Sequence, residues 1–381
     1  MRSVFLGYNK TSQFKAIDTI ASLGKSTPAL ADFEACKQAF ITGKTEDEKQ
    51  KNQSLVERMI YNKVRVCPSC SKPNGFTLKA CNSCGTDISK QEMSKTLNVF
   101  AGFMLGIAKS TFPLTISIRH ETPEVLVLDD LLALSPCHVN VLPMKQFIPD
   151  WRYLLRNPAA GLAVVSQLKQ SAVDVVKNQF LSNEEFLKGF TKVSSALAFD
   201  AENDLSMGFN FPPSQYQLHL QCIFPVVLPY QYYLYQKGTH FTPGRFFPFE
   251  YVAEVLKKVA SSDEKIPQEL LLDETPIEDI VEYFKQKHNI DAEQIRVAFC
   301  ERFDKNFQKF ENWRKEDFDV VAEENESSKK LEAAGVEDLT PLVNKDKLAL
   351  QSYGRPYTAE GKPQGKFYSF PPTSVEQIQF W

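Results

Sequence analysis

The chain has 381 residues, 43% hydrophobic and 12% aromatic, enough to bury a substantial core in one main domain with appendages. With 44 basic against 47 acidic residues the net charge is −3, so no global electrostatic attraction draws it to nucleic acid or to an anionic membrane. No run approaches the roughly 18 to 20 apolar residues that span a bilayer, and a soluble protein is expected.

Residues 1–63 read as a helical arm, because stretches 30–40 and 46–64 carry apolar residues at helical spacing among Lys and Glu. The first 26 residues are modestly basic, with Asp18 as the sole acid, a pattern shared by mitochondrial presequences and ordinary helices. The expected location is cytoplasmic, with the mitochondrion as the alternative.

Cys67-Pro-Ser-Cys70 and Cys81-Asn-Ser-Cys84-Gly85 form two Cys-x-x-Cys knuckles separated by ten residues. Each knuckle turns two thiolates toward one ion, which predicts a tetrahedral Zn2+ ribbon over residues 64–90. All four ligand places are filled by sulfur, so the ion is expected to be structural, with none left for a reacting water. A disulfide framework is disfavoured, since Cys36, Cys137, Cys222 and Cys300 are scattered and no secretory signal precedes them. Pro73-Asn74-Gly75 predicts a hairpin turn between the knuckles. Only Lys72, Lys79 and Lys90 supply positive charge there, so a clamp is favoured over a nucleic-acid contact.

Beyond the ribbon, residues 89–109 predict a helix with Ser89 as its cap and Leu97, Phe100, Phe103, Met104 and Ile107 inward. Strands are expected at 114–119, 124–128 and 139–144, then helices at 150–155 and 159–180 and another starting near 184. Strands 207–211 and 216–224 pair antiparallel through a turn at Phe211-Pro212-Pro213. This order gives an α+β fold with an antiparallel sheet. An aromatic stretch carrying His240 and Arg245 follows, read as packing or as a wall against a base or phosphate.

Helices are expected at 247–260, 277–288 and 291–316. The last places Ile295, Phe299, Phe303, Phe307 and Phe310 on one stripe, to cover the sheet or to meet a partner helix. A charged linker leads to a Gly- and Pro-rich tail with Phe367, Tyr368, Phe370, Phe380 and Trp381. Both the N-terminal arm and this tail are candidate contacts for protein partners.

The stretch from Ser214 to Gln221, SQYQLHLQ, alternates so that Gln217, His219 and Gln221 share one strand face. An imidazole between two amides suits attack on phosphorus or acid–base work, and it also suits a satisfied strand histidine. Residues 125–154 run from a strand ending in Asp130 to a His-Val-Asn-Val-Leu-Pro-Met-Lys strand opened by His138, eight residues later.

Together these stretches resemble the histidine triad superfamily, nearest its diadenosine polyphosphate phosphorylase and hexose-1-phosphate uridylyltransferase branches. The resemblance covers about residues 98–260 and implies a sheet-and-helix domain over 91–260. A helical extension over 261–318 and a linker with tail over 319–381 would follow. It implies that His219 is the nucleophile forming a nucleotidyl intermediate, with Gln217 and Gln221 holding the phosphoryl oxygens. Asp130 would accept from ribose hydroxyls, and Asn210, Ser214 and His138 would line the pocket of a nucleotide or nucleotide sugar. The chain departs from the pattern at two places: Gln217 stands for the first histidine of His-x-His-x-Gln, and Gln146 for a further one. Such losses also suit an inactive descendant serving as a scaffold subunit; binding of RNA ends is a third reading.

Two other motifs lead nowhere. Gly43-Lys44-Thr45 lacks the first glycine and the preceding strand of a phosphate loop. Asp129 and Asp130 are strand neighbours that face opposite ways, so one carboxylate alone reaches a common pocket.

Overall fold

The computed structural model describes residues 45–312, apart from 82–83, 99, 101–117, 123, 131–132, 145–146, 194, 196–197, 228 and 263–264. The expected 30–40 helix, Phe103, Met104, Ile107, Gln146 and the C-terminal tail lie outside the described residues.

Helix α1 (Glu46–Ile60) runs directly into β1 (Tyr61–Val66), the centre of a three-stranded antiparallel sheet with β2 (Pro73–Gly75) and β3 (Met93–Leu97). Two expectations are corrected here. Pro73-Asn74-Gly75 is strand and not turn, because the first cysteine knuckle itself reverses the chain: Cys67 N–H donates to the Lys72 carbonyl at 3.0 Å. The helix expected from Ser89 gives way to β3, whose pairing from Tyr61↔Leu97 to Arg65↔Met93 satisfies the free edge of β1.

The larger sheet has six antiparallel strands in the order β4-β5-β6-β8-β7-β9. These are β4 (Ile118–Glu121), β5 (Val125–Asp129), β6 (His138–Pro143), β7 (Ser206–Asn210), β8 (Leu220–Ile223) and β9 (Phe246–Pro248). Strand β8 begins four residues later than expected; residues 214–217 form a bend instead.

The crossover from β6 to β7 carries the helical layer. Asp150 caps a 3-10 turn (Trp151–Arg156) by accepting from Arg152 N–H. Asn157 then caps α2 (Pro158–Val175), with Pro158 pre-set for the first helical position. Gly161 lets α2 approach closely, since a Cβ there would lie 3.0 Å from the Leu154 carbonyl oxygen. A π turn (Val176–Leu181) and α3 (Glu184–Phe190) complete the connection. Helix α2 packs beside α5 (Phe249–Ala260), and the sheet side chains joining them in the core are Val125, Val127, Val139, Val141, Leu220 and Cys222.

Helices α6 (Ile277–His288) and α7 (Ala292–Phe310) lie where helices were expected, whereas α4 (Pro229–Gln236) forms in the aromatic stretch for which no helix was expected. The α7 stripe folds onto its own chain. Phe307 stacks on Tyr232 with ring centres 3.9 Å apart, Phe303 meets Phe241 at 5.1 Å, and Phe310 meets Phe224 at 5.2 Å. No helix among the described residues is long and apolar enough to cross a membrane.

Because Phe303 is sealed among aromatic rings that join α7 to the β9 end of the sheet, Phe303→Ala should cost about 3–5 kcal/mol. A urea titration reads this as a lowered midpoint. An unchanged midpoint would mean that α7 is only loosely held.

Candidate functional site

The two cysteine knuckles are built alike. Ser71 N–H donates to the Cys67 carbonyl and Gly85 N–H to the Cys81 carbonyl, each at 2.9 Å, and both donors sit at positive φ, 57° and 76°. The first cysteine of each pair donates onward, Cys67 to Lys72 and Cys81 to Thr86. This geometry turns all four thiols inward, with their sulfurs within 4.8 Å of one another. Cys67 and Cys84 lie 3.5 Å apart, and Cys70 and Cys81 lie 3.6 Å apart. Sulfurs at the corners of a tetrahedron with bonds of about 2.3 Å are roughly 3.8 Å apart, so this quartet can hold a metal ion. The Thr86 hydroxyl at 3.2 Å helps bring the Cys84 thiol down to about 6, whereas, against a backbone hydrogen bond at Lys72, burial and the neighbouring thiols push Cys70 up to about 12.

A second polar cluster lies on the six-stranded sheet. Val139 and Val141 of β6 enter the core with α2, so the alternating His138 and Asn140 face the other way. Pairing sets Asn140 opposite Gln221 on β8, and Gln221 opposite Gly208 on β7. Asn210 follows Gly208 by two residues on β7 and so shares its face. Position 208 has room only for glycine, because a Cβ there would lie 2.7 Å from the Phe247 carbonyl oxygen and collide with the Phe246 ring.

Asp130 joins this face just past β5, its N–H donating to the His138 carbonyl at 2.9 Å. Its carboxylate accepts from Asn140 Nδ2 at 2.7 Å and stands 3.8 Å from His138 Nε2. Leu134 N–H donates to His138 Nδ1 at 3.1 Å, which places the His138 proton on Nε2. Burial lowers the pKa of this imidazole, against the pull of the Asp130 and Asp129 carboxylates. His138 is therefore neutral, with a buried Nε2–H that no protein group accepts among the described residues. Asp129 turns to the opposite face, as expected, in a two-pronged pair with Arg119 at 2.6 and 2.9 Å.

His219 holds the complementary tautomer. Its Nδ1 lies 2.8 Å from the Gln217 carbonyl, which can only accept; Nδ1 carries the proton and Nε2 the lone pair. The Phe100 ring meets it edge-on at 5.0 Å. Burial lowers its pKa; the Gln217 carbonyl and Asp130 oppose that shift, and His138 adds to it. Asn140, which bonds the Asp130 carboxylate and lies opposite Gln221, links Asp130 to the strand that follows His219.

Other expected site residues fare differently. The Gln217 side chain is fully buried and donates to the Pro143 carbonyl at 2.9 Å while accepting from Ile148 N–H at 3.3 Å. It splices the bend to the end of β6. Ser214 is exposed in the bend, while Asn210 and Gln221 are half-buried on the site's face.

Asn140 and Gln231 enter without having been singled out in the sequence, and His240, read there as packing or as a wall against a base or phosphate, joins them. Asn140 follows His138 by two positions, so strand alternation alone could have revealed it. His240 Nε2 lies 3.0 Å from Gln231 Oε1, and burial followed by the neighbouring His138 pushes its pKa down to about 4. The Gln231 pairing comes from α4 and had no local signal.

Three imidazoles held neutral by burial give stability a pH dependence of definite sign. Unfolded histidines take up protons near pH 6.5 and these folded ones only at lower pH, so stability declines as pH falls from about 6.5 toward about 4. The slope is about 1.4 kcal/mol per pH unit for each extra proton bound by the unfolded state. Urea midpoints should drop across this window, and His240→Gln should flatten the decline; a flat wild-type profile contradicts the buried neutral rings.

Compared with known protein families, curated proteins and solved structures, the chain matches none.

Proposed function

We propose that this chain is a nucleotide-binding protein of the histidine triad type, with His219 as the nucleophile toward an α-phosphorus. The observation that carries this reading is the bond from His219 Nδ1–H to the Gln217 carbonyl. It leaves the Nε2 lone pair as the attacking group, and burial keeps it unprotonated near neutral pH. As the N–P bond forms, the bond from phosphorus to the leaving oxygen breaks. The nucleotidyl group then passes to water, phosphate or a sugar phosphate.

Asp130, with Asn140 fixing one carboxylate oxygen, is the acceptor for ribose hydroxyls. His138 Nε2–H and the amides of Asn210 and Gln221 are donors for the ligand's oxygens. The succession of an Asp130 strand end, a His138 strand, a helical crossover, an Asn210 strand and the His219 strand supports the family likeness.

A proton for the leaving group is what this site supplies poorly. With the Gln217 amide engaged by backbone, an imidazolium's general-acid contribution is missing, typically worth about 10² to 10⁴ in rate. We infer slow turnover and a persistent intermediate. The same engaged amide favours, as second reading, an inactive scaffold subunit that keeps the pocket.

Incubation with nucleotides labelled at the α-phosphate should yield an acid-labile, base-stable protein adduct, lost in His219→Gln. Calorimetry should show nucleotide binding weakened at least tenfold by Asp130→Ala. Binding without an adduct would leave the scaffold reading; neither binding nor adduct would remove both.

At the cysteine quartet we propose structural zinc, which tetrahedral thiolate sites prefer. Native mass spectrometry should find one zinc per chain, and its removal by chelator should lower the thermal midpoint. Protein that is metal-free as isolated, with a midpoint indifferent to chelator and to added zinc, would refute the assignment.

A further inference from the structure

The small sheet grips the backbone on both sides of one residue next to the sheet face, Tyr216. Tyr216 N–H donates to Asn62 Oδ1 at 2.8 Å, and the Tyr216 carbonyl accepts from Asn98 Nδ2 at 3.0 Å. Asn62 lies on β1 and Asn98 directly follows β3; both are buried, at 1% and 0% exposure. Asn62 Nδ2 also donates to Gln215 Oε1 at 3.1 Å, and the Tyr216 hydroxyl donates to the Lys63 carbonyl at 3.3 Å. The Phe76 ring stands edge-on to Tyr216, and β2 closes on the same segment, where a Cβ on Gly75 would come within 2.5 Å of the Pro212 ring.

The next residue is Gln217, whose carbonyl accepts the hydrogen bond from His219 Nδ1–H. Its orientation is held from one side by its own amide, bonded to Pro143 and Ile148, and from the other by the Tyr216 peptide. Phe100, two residues beyond Asn98, then limits the ring itself.

The geometry points to Asn62 and Asn98 as positioning residues for His219. By gripping both the N–H and the C=O sides of residue 216, they aim the 217 carbonyl at Nδ1 and hold the imidazole in the tautomer with a free Nε2 lone pair. The cysteine-bearing sheet is thereby part of the machinery of the His219 site. This inference rests on the reading of His219 as nucleophile, yet its test needs no nucleotide.

In full-length protein with 15N-labelled histidine, long-range 1H–15N spectra report the proton position on each ring, and His219→Gln assigns the signal. Wild type should show His219 as the single Nδ1–H tautomer. Asn62→Ala and Asn98→Ala should each shift that signal toward an average of both tautomers and slow adduct formation at least tenfold. Asn62→Asp, which keeps an acceptor for Tyr216 N–H, should recover most of the wild-type pattern.

Cooperative unfolding of each variant confirms that it is folded. Should Asn62→Ala fail to fold, Asn98→Ala, which removes the donor to the Tyr216 carbonyl and the acceptor of Phe100 N–H, carries the test. A wild-type tautomer signal in the folded alanine variants would overturn the proposal whether or not an adduct forms. A shifted signal in protein that never labels would sustain the positioning and refute the nucleophile.

Discussion

The antiparallel pairing of β6 with β8, which sets Asn140 opposite Gln221 and Val141 opposite Leu220, ties the two halves of the polar face together while it seals the core behind them. Side chains alternate along both strands, so core and site are two results of one register. A slip of one residue would turn His138 and Asn140 under α2 and push Val139 and Val141 outward. The desolvation of two unpaired polar groups, at about 1–3 kcal/mol each, would add to the loss of apolar burial. The site is thus pinned by the hydrophobic side of the sheet.

That pinning explains why much could be read from the sequence. Strand β6 announces itself by alternation, and α6 at Ile277–His288 coincides with its expected span because its buried Ile277, Ile280 and Phe284 keep helical spacing. The α7 stripe was legible as an apolar face, though not what it would cover; that depended on Phe241 and Tyr232, far back in the chain. Helix α7 stops at Phe310 and not at residue 316, after which Glu311 bridges to Thr191.

What stayed hidden is of one kind: polar groups satisfied by distant backbone. Nothing near Gln217 says that its amide will serve Pro143 and Ile148, some seventy positions earlier. Nothing near Asn62 says that it will meet residue 216, and nothing in Met93–Leu97 outweighed a helical reading until β1 offered an edge. Pattern reports which face is apolar; it is silent on which buried donor finds which acceptor. The two histidines show the same limit, since His138 and His219 are distinguished only by the groups at Nδ1, a backbone N–H for one and a carbonyl for the other.

The sealed amide at 217 also constrains any attempt to retrofit the chain. An imidazole there has one donor and one acceptor on a rigid ring, whereas the amide now spans a carbonyl on one strand end and an N–H on the next turn. A ring aimed at the polar face would leave both backbone groups stranded in a dry interior; a ring that served them would face away from His138 and Asp130. Placing an imidazole at this position therefore means providing new partners for the Pro143 carbonyl and the Ile148 N–H along with it, and that coupling sets a single Gln217→His exchange against the packing around it.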